Sequence, residues 1–325
     1  MFSKKNYDYD LIIIGSGAGG SVGAHYARAM GKTVAIFEKG AIGGECPNFA
    51  CVPTKALLHA AQIKNIAEDS KLFGLDIPKV NVNYAAVRKW KDLVVSRTGA
   101  AHGVESFKKD GIDLIREKAY FVSPHAVKAA GKTYSAHKFI LATGSSPFIP
   151  PVPGLEKGTY ITFKEAVDFK KLPESLLISG GGPVGCEFAQ IFQSFGTKVT
   201  LVNRSEKLLG KEDTETAELI KALFENQGIN VLTNTAMTSV QKKGRKKIVR
   251  LKTGEKVSFK EFDEILIATG KVSVLDFAPE KAGIKVENGR INVNNLLQTN
   301  VPHIYAAGDI VGPYLSTNTG YDQRY

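Results

Sequence analysis

Cysteine is scarce in this chain, and long apolar segments are missing. Only three of the 325 residues are cysteine, which argues against a disulfide-stapled secreted scaffold and favours a reducing compartment. No apolar run is long enough to span a bilayer. Residues 1–10 are polar, and the apolar run 11–14 is too short for the hydrophobic region of a signal peptide. These absences predict a cytoplasmic protein without a membrane span, and the length is sufficient for two or more domains.

Negative charge is also in short supply. The chain has 43 lysine and arginine residues against 32 aspartate and glutamate residues, a net charge of +11. The densest basic cluster, residues 242–247, lies between two strand-like runs, and we interpret it as an exposed hairpin turn. Nucleic-acid binding is the alternative; we predict none, because a solvated basic surface or affinity for phosphorylated cofactors accounts for the charge.

A glycine-rich turn follows the first predicted strand, Tyr9–Ile14. The turn contains Gly15, Gly17 and Gly20 in G-x-G-x-x-G spacing, and a small-residue helix and a second strand lead to Glu38. Strand, glycines, helix, strand and acid together complete the dinucleotide-binding fingerprint. The glycines admit a pyrophosphate, the helix N-terminus supplies positive potential, and Glu38 is placed to accept hydrogen bonds from a ribose. The alternative is a glycine-rich turn that binds no ligand.

A second copy of this pattern starts at a predicted strand over Ser175–Ser179. Its glycines are Gly180, Gly182 and Gly185. Asn203 follows Gly180 by the same number of positions that separates Glu38 from the first glycine, and Arg204 stands beside it. A carboxylate favours an unphosphorylated ribose, whereas an arginine accommodates a 2′-phosphate. The first copy therefore suits an NAD- or FAD-type adenosine and the second favours NADPH over NADH, unless Arg204 points to solvent.

The two copies indicate an α/β architecture with two Rossmann-like dinucleotide-binding domains, the second inserted into the first. Each copy continues to a strand that ends in Ala-Thr-Gly, at Ala142–Gly144 and Ala268–Gly270. The proline-rich segment 146–154 marks a domain boundary, because proline cannot continue the interior of a sheet. A strand from Ile304 ends in Gly-Asp at Asp309, whose carboxylate is placed to hold a polyol chain or is simply a turn aspartate.

The remaining patterns predict ordinary connecting elements. Helices are predicted up to about residue 69 and over 82–97 and 213–227. Strands are predicted over 112–115, 119–122, 126–130, 139–144, 198–202, 230–233 and 264–268.

A pair of cysteines lies between the first fingerprint and an alanine-rich run that predicts a helix. Four residues separate Cys46 from Cys51. A helix N-terminus and a nearby cation such as Lys55 lower the pKa of a thiol, and two unequally activated thiols are what thiol–disulfide exchange requires. A disulfide staple is one alternative, worth about 2 kcal/mol for so short a loop. A zinc half-site is another, but Cys186 is the one further cysteine and no paired histidine motif is present, so we predict no metal.

The segment Gly43-Gly44-x-Cys46-x-x-x-x-Cys51-Val52-Pro53-Thr54-Lys55, with the later Ala142–Gly144 and Gly308-Asp309, carries a resemblance over essentially the whole chain. It resembles the flavin-dependent pyridine nucleotide–disulfide oxidoreductases, such as dihydrolipoamide dehydrogenase, glutathione reductase and mercuric reductase. The resemblance implies FAD and NADPH, or NADH, as cofactors. Electrons would pass from NAD(P)H through the flavin to a Cys46–Cys51 disulfide and on to a small-molecule or small-protein disulfide acceptor. It also implies an FAD-binding domain over 1–150 plus 271–325 and an NAD(P)H-binding domain over 151–270.

The resemblance assigns roles to individual residues. Cys46 matches the interchange thiol that meets the substrate, and Cys51 matches the sulfur nearest the flavin. Lys55 matches the lysine near flavin N5, and Glu187 matches its carboxylate partner. The implied FAD-binding residues are Gly15, Gly17, Gly20, Glu38, Gly44, Lys55, Ala119, Thr143, Gly144 and Asp309. The implied NAD(P)-binding residues are Gly180, Gly182, Gly185, Asn203, Arg204 and Gly270.

Three departures from the family pattern are visible. Pro183 stands where several members carry a tyrosine that covers the flavin, and Asn318 lies in a segment where Gln-Phe-Thr-His is common. The sequence ends at Tyr325, before the interface domain that builds the family's homodimer and supplies a His–Glu pair. Without that pair we expect thiol exchange to be slower by about 10²–10⁴-fold. Flavin-only reduction of quinones or dyes, transhydrogenation, and a nucleotide-binding fragment without enzyme activity are the alternatives.

Overall fold

A computed structural model describes residues 7–98, 100–312, 315, 317 and 320. The α-helices are α1 (Ala18–Ala29), α2 (Glu45–Asn48), α3 (Cys51–Glu68), α4 (Tyr84–Arg97), α5 (Ala100–Lys109), α6 (Phe163–Ala166), α7 (Pro183–Ser194) and α8 (Thr214–Asn226). Short 3₁₀ helices cover Ser70–Phe73 and Pro279–Ala282. Within these described residues, no helix is long and apolar enough to cross a membrane.

Strands and helices alternate in two stretches, residues 9–37 and 163–232, as expected for two α/β units. They are β1 (Tyr9–Ile14), β2 (Val34–Phe37), β3 (Asp113–Ile115), β4 (Tyr120–Ser123), β5 (Ala126–Ala129), β6 (Lys132–Leu141), β7 (Ser145–Pro147), β8 (Ser175–Ser179), β9 (Lys198–Val202), β10 (Asn230–Leu232), β11 (Thr235–Lys243), β12 (Lys246–Thr253), β13 (Lys256–Phe262), β14 (Glu264–Ile267), β15 (Lys271–Ser273), β16 (Val286–Glu287), β17 (Arg290–Ile291) and β18 (Ile304–Ala306).

The chain divides into two compact units. The first comprises Met1–Asn48, Val95–Ser146 and Val272–Tyr325, and the second comprises Phe49–Val94 and Pro147–Lys271. Helices α3 and α4 belong to the second unit, and the predicted FAD-binding domain over 1–150 plus 271–325 stays a prediction. Side chains of α3, such as Leu57, share a buried apolar core with side chains of α7, such as Phe188, and this packing groups α3 with the second unit.

The sheet of the first unit has parallel strands in its middle. Strands β3, β2, β1 and β6 are neighbours in that order, β18 lies on the other side of β6, and all these pairs are parallel. The first half of β6 pairs antiparallel with β5, which pairs antiparallel with β4. All of β2, Val34–Phe37, is buried, and so is the second half of β1. Such continuous apolar runs are typical of parallel strands covered on both faces.

The second unit repeats this arrangement. Strands β10, β9, β8 and β14 form a parallel sheet, and β11, β12 and β13 form a separate antiparallel sheet. The predicted basic hairpin is confirmed, because β11 and β12 pair around a turn in which Gly244 has a φ of +60°. The α/β fold class with two Rossmann-like units is also confirmed.

Several element boundaries are confirmed and a few are wrong. Strands β1, β8 and β9 have the predicted bounds. The predicted strand over 139–144 is wrong at both ends, because β6 begins at Lys132, with polar residues that pair with β5, and ends at Leu141. Helix α5 was not predicted, since among its residues with a described side chain only Phe107 is buried. Strand β13 was not predicted either, because most of its residues are exposed and only Phe262 is buried.

Candidate functional site

The first glycine turn lies between β1 and α1, and its shape depends on missing side chains. Gly15 has a φ of +104°, and a Cβ atom there would lie 2.2 Å from the carbonyl oxygen of Ala142. A Cβ atom at Gly20 would lie 2.0 Å from the carbonyl oxygen of Gly15, so helix and strand approach as closely as backbone allows. No side chain in the described part of the chain caps α1 at Gly17. The N–H groups at the start of α1 therefore keep the positive potential that suits an anion.

Glu38 follows β2 and lies at the same edge of the sheet. Its Oε2 atom accepts hydrogen bonds from the N and Oγ atoms of Ser16 at 2.9 and 2.8 Å, and its Oε1 atom accepts one from the N atom of Gly40 at 2.7 Å. Ser16 Oγ also accepts a hydrogen bond from the N atom of Gly43 at 3.0 Å. Ser16, which is fully buried, thus joins the acid, the glycine turn and the cysteine segment. Sequence reasoning missed Ser16, although its place inside the G-x-G-x-x-G turn was a signal.

The segment with Cys46 starts against the first glycine turn. Gly44 has a φ of +75°, and a Cβ atom there would lie 2.9 Å from the Cα atom of Gly17. Cys46 lies in α2 and is partly exposed. The Nδ2 atom of Asn48 donates to the carbonyl oxygens of Ile42 and Gly44 at 2.9 and 2.7 Å. These bonds close the loop that holds Cys46, so Asn48 is another residue that the sequence analysis missed.

Cys51 is the first residue of α3, one turn before Lys55. The sequence predicted that both cysteines precede the helix; instead Cys51 opens α3 and Cys46 lies in the separate α2. Cys51 is partly exposed. The Nζ atom of Lys55 donates a hydrogen bond to Oε1 of Glu187 on α7. The structure therefore brings together the lysine and the carboxylate that the resemblance paired.

Thr143, Gly144 and Asp309 lie in the first unit, near the carboxyl ends of β6 and β18. The Oγ1 atom of Thr143 donates to the carbonyl oxygen of Val274 at 2.7 Å, and the N atom of Val274 donates to the carbonyl oxygen of Gly144 at 3.0 Å. Ser145 Oγ donates to Oδ2 of Asp309 at 2.5 Å. The carboxyl ends of parallel strands form the usual ligand-binding edge of such a sheet.

Ala119, the remaining residue of the implied FAD set in this unit, is buried just before β4 in the same apolar core as Phe37. Phe37 is the last residue of β2 and directly precedes Glu38, so Ala119 belongs to the same core as the strand that positions the acid.

The second glycine turn, between β8 and α7, repeats the geometry of the first. Gly180 has a φ of +119°, and a Cβ atom there would lie 2.2 Å from the carbonyl oxygen of Ala268. A Cβ atom at Gly185 would lie 1.9 Å from the carbonyl oxygen of Gly180. As far as the chain is described, no side chain caps α7 at Gly182. Gly270, which follows β14, has a φ of +117°.

Asn203 stands at the end of β9, where the first unit has Glu38. Its Oδ1 atom accepts a hydrogen bond from the N atom of Gly181 at 3.2 Å. Its Nδ2 atom donates to the carbonyl oxygens of Ser205 and Lys207 at 3.2 and 2.8 Å. Asn203 therefore orders the loop after β9 without adding negative charge, and Arg204 in that loop is exposed.

The third cysteine, Cys186, is buried in α7. Its Sγ atom donates to the carbonyl oxygen of Gly181 at 3.5 Å. Burial, and secondarily the charge of Glu187, raises the pKa of Cys186 to about 12. A thiol held neutral in this way is a poor nucleophile. Across the described residues, no group of three or more histidine, cysteine, aspartate or glutamate side chains is arranged to hold a metal ion.

Pro183, the first of the sequence departures, is the first residue of α7. Proline is favoured there because its missing N–H would have no partner within the helix. The second departure, Asn318, lies outside the described residues, as does Tyr325 at the end of the sequence.

The fold and the two glycine turns define a protein with two dinucleotide-binding units, one of which carries the start of a cysteine-pair segment. A family model described as pyridine nucleotide-disulphide oxidoreductase matches residues 9–323. The chain belongs to this family, so the family predicted from the cysteine segment is confirmed.

Individual relatives agree with this assignment. The mercuric reductase of Staphylococcus aureus is 34% identical over 322 residues, which cover 98% of this chain and 59% of that protein. The dihydrolipoyl dehydrogenase of Thermus scotoductus is 37% identical over 314 residues, covering 94% of this chain and 67% of that protein. The chain thus spans little more than half the length of the staphylococcal protein.

The HOCl-induced flavoprotein disulfide reductase RclA of Escherichia coli has a similar solved structure. The TM-score is 0.86 at 27% identity, and the match covers 97% of this chain and 69% of that chain.

Proposed function

We propose that this chain binds FAD and NAD(P)H and passes electrons from NAD(P)H, through the flavin, to a Cys46–Cys51 disulfide and then to a disulfide acceptor. The observation that carries the proposal is the cysteine segment itself. It begins at Gly44, against the first glycine turn, and continues through Cys51 into the helix that holds the Lys55–Glu187 pair. A cysteine pair that formed only a structural disulfide would not require a position between the first glycine turn and the helix with the Lys55–Glu187 pair.

The residues of the first unit fit FAD. No described side chain caps the start of α1 at Gly17, and the tight turn at Gly15 has no Cβ atom, and both features suit the approach of a pyrophosphate to the backbone. Glu38 is assigned to the adenosine ribose and Asp309 to the ribityl chain. When bound, the flavin supplies the ability to take a hydride from nicotinamide and to transfer two electrons to a disulfide. We assign the FAD-binding domain to residues 1–150 plus 271–325.

The residues of the second unit fit a pyridine nucleotide. The second glycine turn, like the first, presents backbone without side chains at Gly180 and Gly185. We assign residues 151–270 to the NAD(P)H-binding domain. We infer a preference for NADPH, because Asn203 places a neutral amide where Glu38 places a carboxylate in the first unit. Arg204 beside it is exposed and available to a 2′-phosphate.

The two cysteines have separate tasks in this proposal. As a thiolate, Cys46 attacks one sulfur of the acceptor disulfide, and the other acceptor sulfur leaves as a thiol. Cys51 then attacks Cys46 in the mixed disulfide, which releases the second acceptor thiol and restores the Cys46–Cys51 disulfide. The acceptor gains two electrons and two protons in this exchange. Cys51 is placed at the N-terminus of α3, where the helix dipole favours an anion.

The electron acceptor and the location of the protein are also part of the proposal. The names of the relatives divide between mercuric reductase, dihydrolipoyl dehydrogenase and disulfide reductase. We infer a small-molecule or small-protein disulfide, because two thiols on one segment can reduce it by the two successive attacks described above. We also infer a cytoplasmic location, since the dithiol state needs a reducing compartment.

An anaerobic visible spectrum of the full chain, titrated with NADPH and separately with NADH, tests the function. We expect a yellow protein that develops a long-wavelength charge-transfer band after two electrons, at lower concentrations of NADPH than of NADH. Cys51→Ser should abolish the band and leave the yellow colour, whereas Cys186→Ala, at the buried cysteine, should retain both.

Other results would contradict parts of the proposal. If the flavin bleaches without forming the charge-transfer band, flavin-only reduction of quinones or dyes would replace the proposed transfer through the cysteines. A colourless protein that binds nucleotide would leave only a nucleotide-binding role.

A further inference from the structure

The carboxylate of Asp309 receives a hydrogen bond from a buried serine. Ser145 Oγ lies 2.5 Å from Oδ2 of Asp309, and Ser145 is only 8% exposed. Ser145 begins β7, where the chain leaves the first unit, and Asp309 follows β18, 164 positions later. This contact is therefore made by the tertiary fold and is not part of a local turn.

A second serine holds the backbone next to this carboxylate. Ser273 Oγ donates to the carbonyl oxygen of Ile310 at 3.3 Å. Ser273 ends β15, the strand that pairs with β7. Two paired strands thus each donate a hydroxyl to the turn at 309–310, one to its side chain and one to its backbone.

We propose that Ser145 is a positioning residue for the ribityl chain of FAD and that it acts through Asp309. This inference rests on the proposed flavin site. A hydrogen bond to a carboxylate is stronger than one between neutral groups, and one from a buried donor restricts the orientation of the acceptor side chain. A carboxylate whose rotamer is already fixed binds a polyol hydroxyl without a further loss of side-chain entropy.

The first unit contains a second serine–aspartate pair that serves as a matched control. Ser135 Oγ donates to Oδ2 of Asp8 at 2.8 Å. Ser135 lies in the first half of β6, in the part of the strand that pairs with β5, whereas Ser145 lies beyond the end of β6. Removing the Ser135 hydroxyl costs the unit this hydrogen bond and the one that the N atom of Asp8 donates to Ser135 Oγ at 3.1 Å, without touching the carboxyl edge of the sheet.

The test titrates FAD and ADP into the flavin-free full chain and its Ser145→Ala, Ser145→Thr and Ser135→Ala variants. ADP contains the adenosine and pyrophosphate that the glycine turn and Glu38 contact, but it has no ribityl chain. We expect Ser145→Ala to raise the dissociation constant of FAD about 10-fold, the typical effect of losing a hydrogen bond to a charged group, and to leave that of ADP unchanged. Ser145→Thr should restore FAD binding, and Ser135→Ala should change neither constant.

A double-mutant cycle with Asp309→Asn shows whether Ser145 acts through the aspartate. Both single variants should weaken FAD binding, and the double variant should be no weaker than Asp309→Asn alone. Equal loss of FAD and ADP binding in Ser145→Ala, or additive losses in the cycle, would overturn the proposal. If the unchanged chain binds neither FAD nor ADP, it is the flavin site itself that fails.

Discussion

Lys55 Nζ donates a hydrogen bond to Oε1 of Glu187, which joins α3 to α7 within the second unit. Lys55 lies one turn after Cys51, and Glu187 lies two positions after the last glycine of the second turn. The pair thus connects the helix that starts at Cys51, a proposed redox cysteine, to the helix that starts at the proposed NAD(P)H site. Its side chains are 60% and 29% exposed, so solvent screens much of their attraction.

Replacing Glu187 with glutamine should impair turnover far more than stability. We expect the NADPH-dependent reduction of a test disulfide to slow about 10-fold, because Lys55 loses a charge-assisted partner that orients it. The midpoint of thermal unfolding should change little, since exposed pairs contribute about 0–1 kcal/mol. Glu68→Gln, which removes the Lys64–Glu68 pair on α3, is the matched control and should leave turnover unaltered. Equal turnover in both variants would contradict a functional role for the pair.

An alanine at Gly15 should be more damaging than an alanine at Gly31, although both glycines have positive φ. Gly31 has a φ of +75° with nothing described within 4 Å of an added Cβ atom, so Gly31→Ala carries only the backbone cost of about 1–2 kcal/mol. Gly15→Ala adds a clash at 2.2 Å with the carbonyl oxygen of Ala142. We expect a lower unfolding midpoint and loss of bound flavin in Gly15→Ala. Similar midpoints and flavin contents in the two variants would show that the turn tolerates a side chain.

We predict that the free energy of unfolding falls in mild acid because of two stacked histidines. The rings of His125 and His303 are 3.8 Å apart and nearly parallel. His303 Nε2 lies 2.8 Å from the carbonyl oxygen of Pro124 and must donate there, because a carbonyl only accepts. Burial lowers the pKa of His303 from 6.5, and the charges of His125 and His137 lower it further, against the opposing effect of the Pro124 carbonyl.

Because the pKa of His303 is lower in the folded state, the unfolded chain binds more protons as the pH falls through 6.5. The stability contributed by neutral His303 is therefore present above pH 6.5 and is lost progressively below it. Urea unfolding at pH 8 and pH 5 should show a lower midpoint at pH 5, and His303→Gln should reduce this difference. His59→Gln, at an exposed position on α3, should not reduce it. An identical pH dependence in His303→Gln would refute the assignment to His303.

Cys186 should resist alkylation in the folded protein. The pKa of its thiol is raised to about 12, so at pH 8 it remains neutral as well as buried. After reduction, iodoacetamide should label the partly exposed Cys46 and Cys51, and label Cys186 only after denaturant is added. Mass spectrometry of tryptic peptides identifies each site. Rapid labelling of Cys186 without denaturant would show that α7 opens in the native state.

Local patterns predicted much of the fold. The two glycine turns were predictable because a strand, a tight turn without side chains and a helix follow one another within about thirty residues. Strands buried on both faces, such as β1, β8 and β9, were also predictable, since continuous apolar residues mark them. The half-exposed elements α5 and β13 lack such a pattern, and their packing depends on residues distant in the chain.

The sequence by itself determined the family, the two nucleotide-binding units and the cysteine segment, because each depends on the order and spacing of neighbouring residues. Only the tertiary structure decided which distant side chains meet. Ser145 reaches Asp309 across 164 positions, and Ser16 joins Glu38 to the cysteine segment. A hydroxyl can donate to any nearby acceptor, and its partner depends on the path of the whole chain.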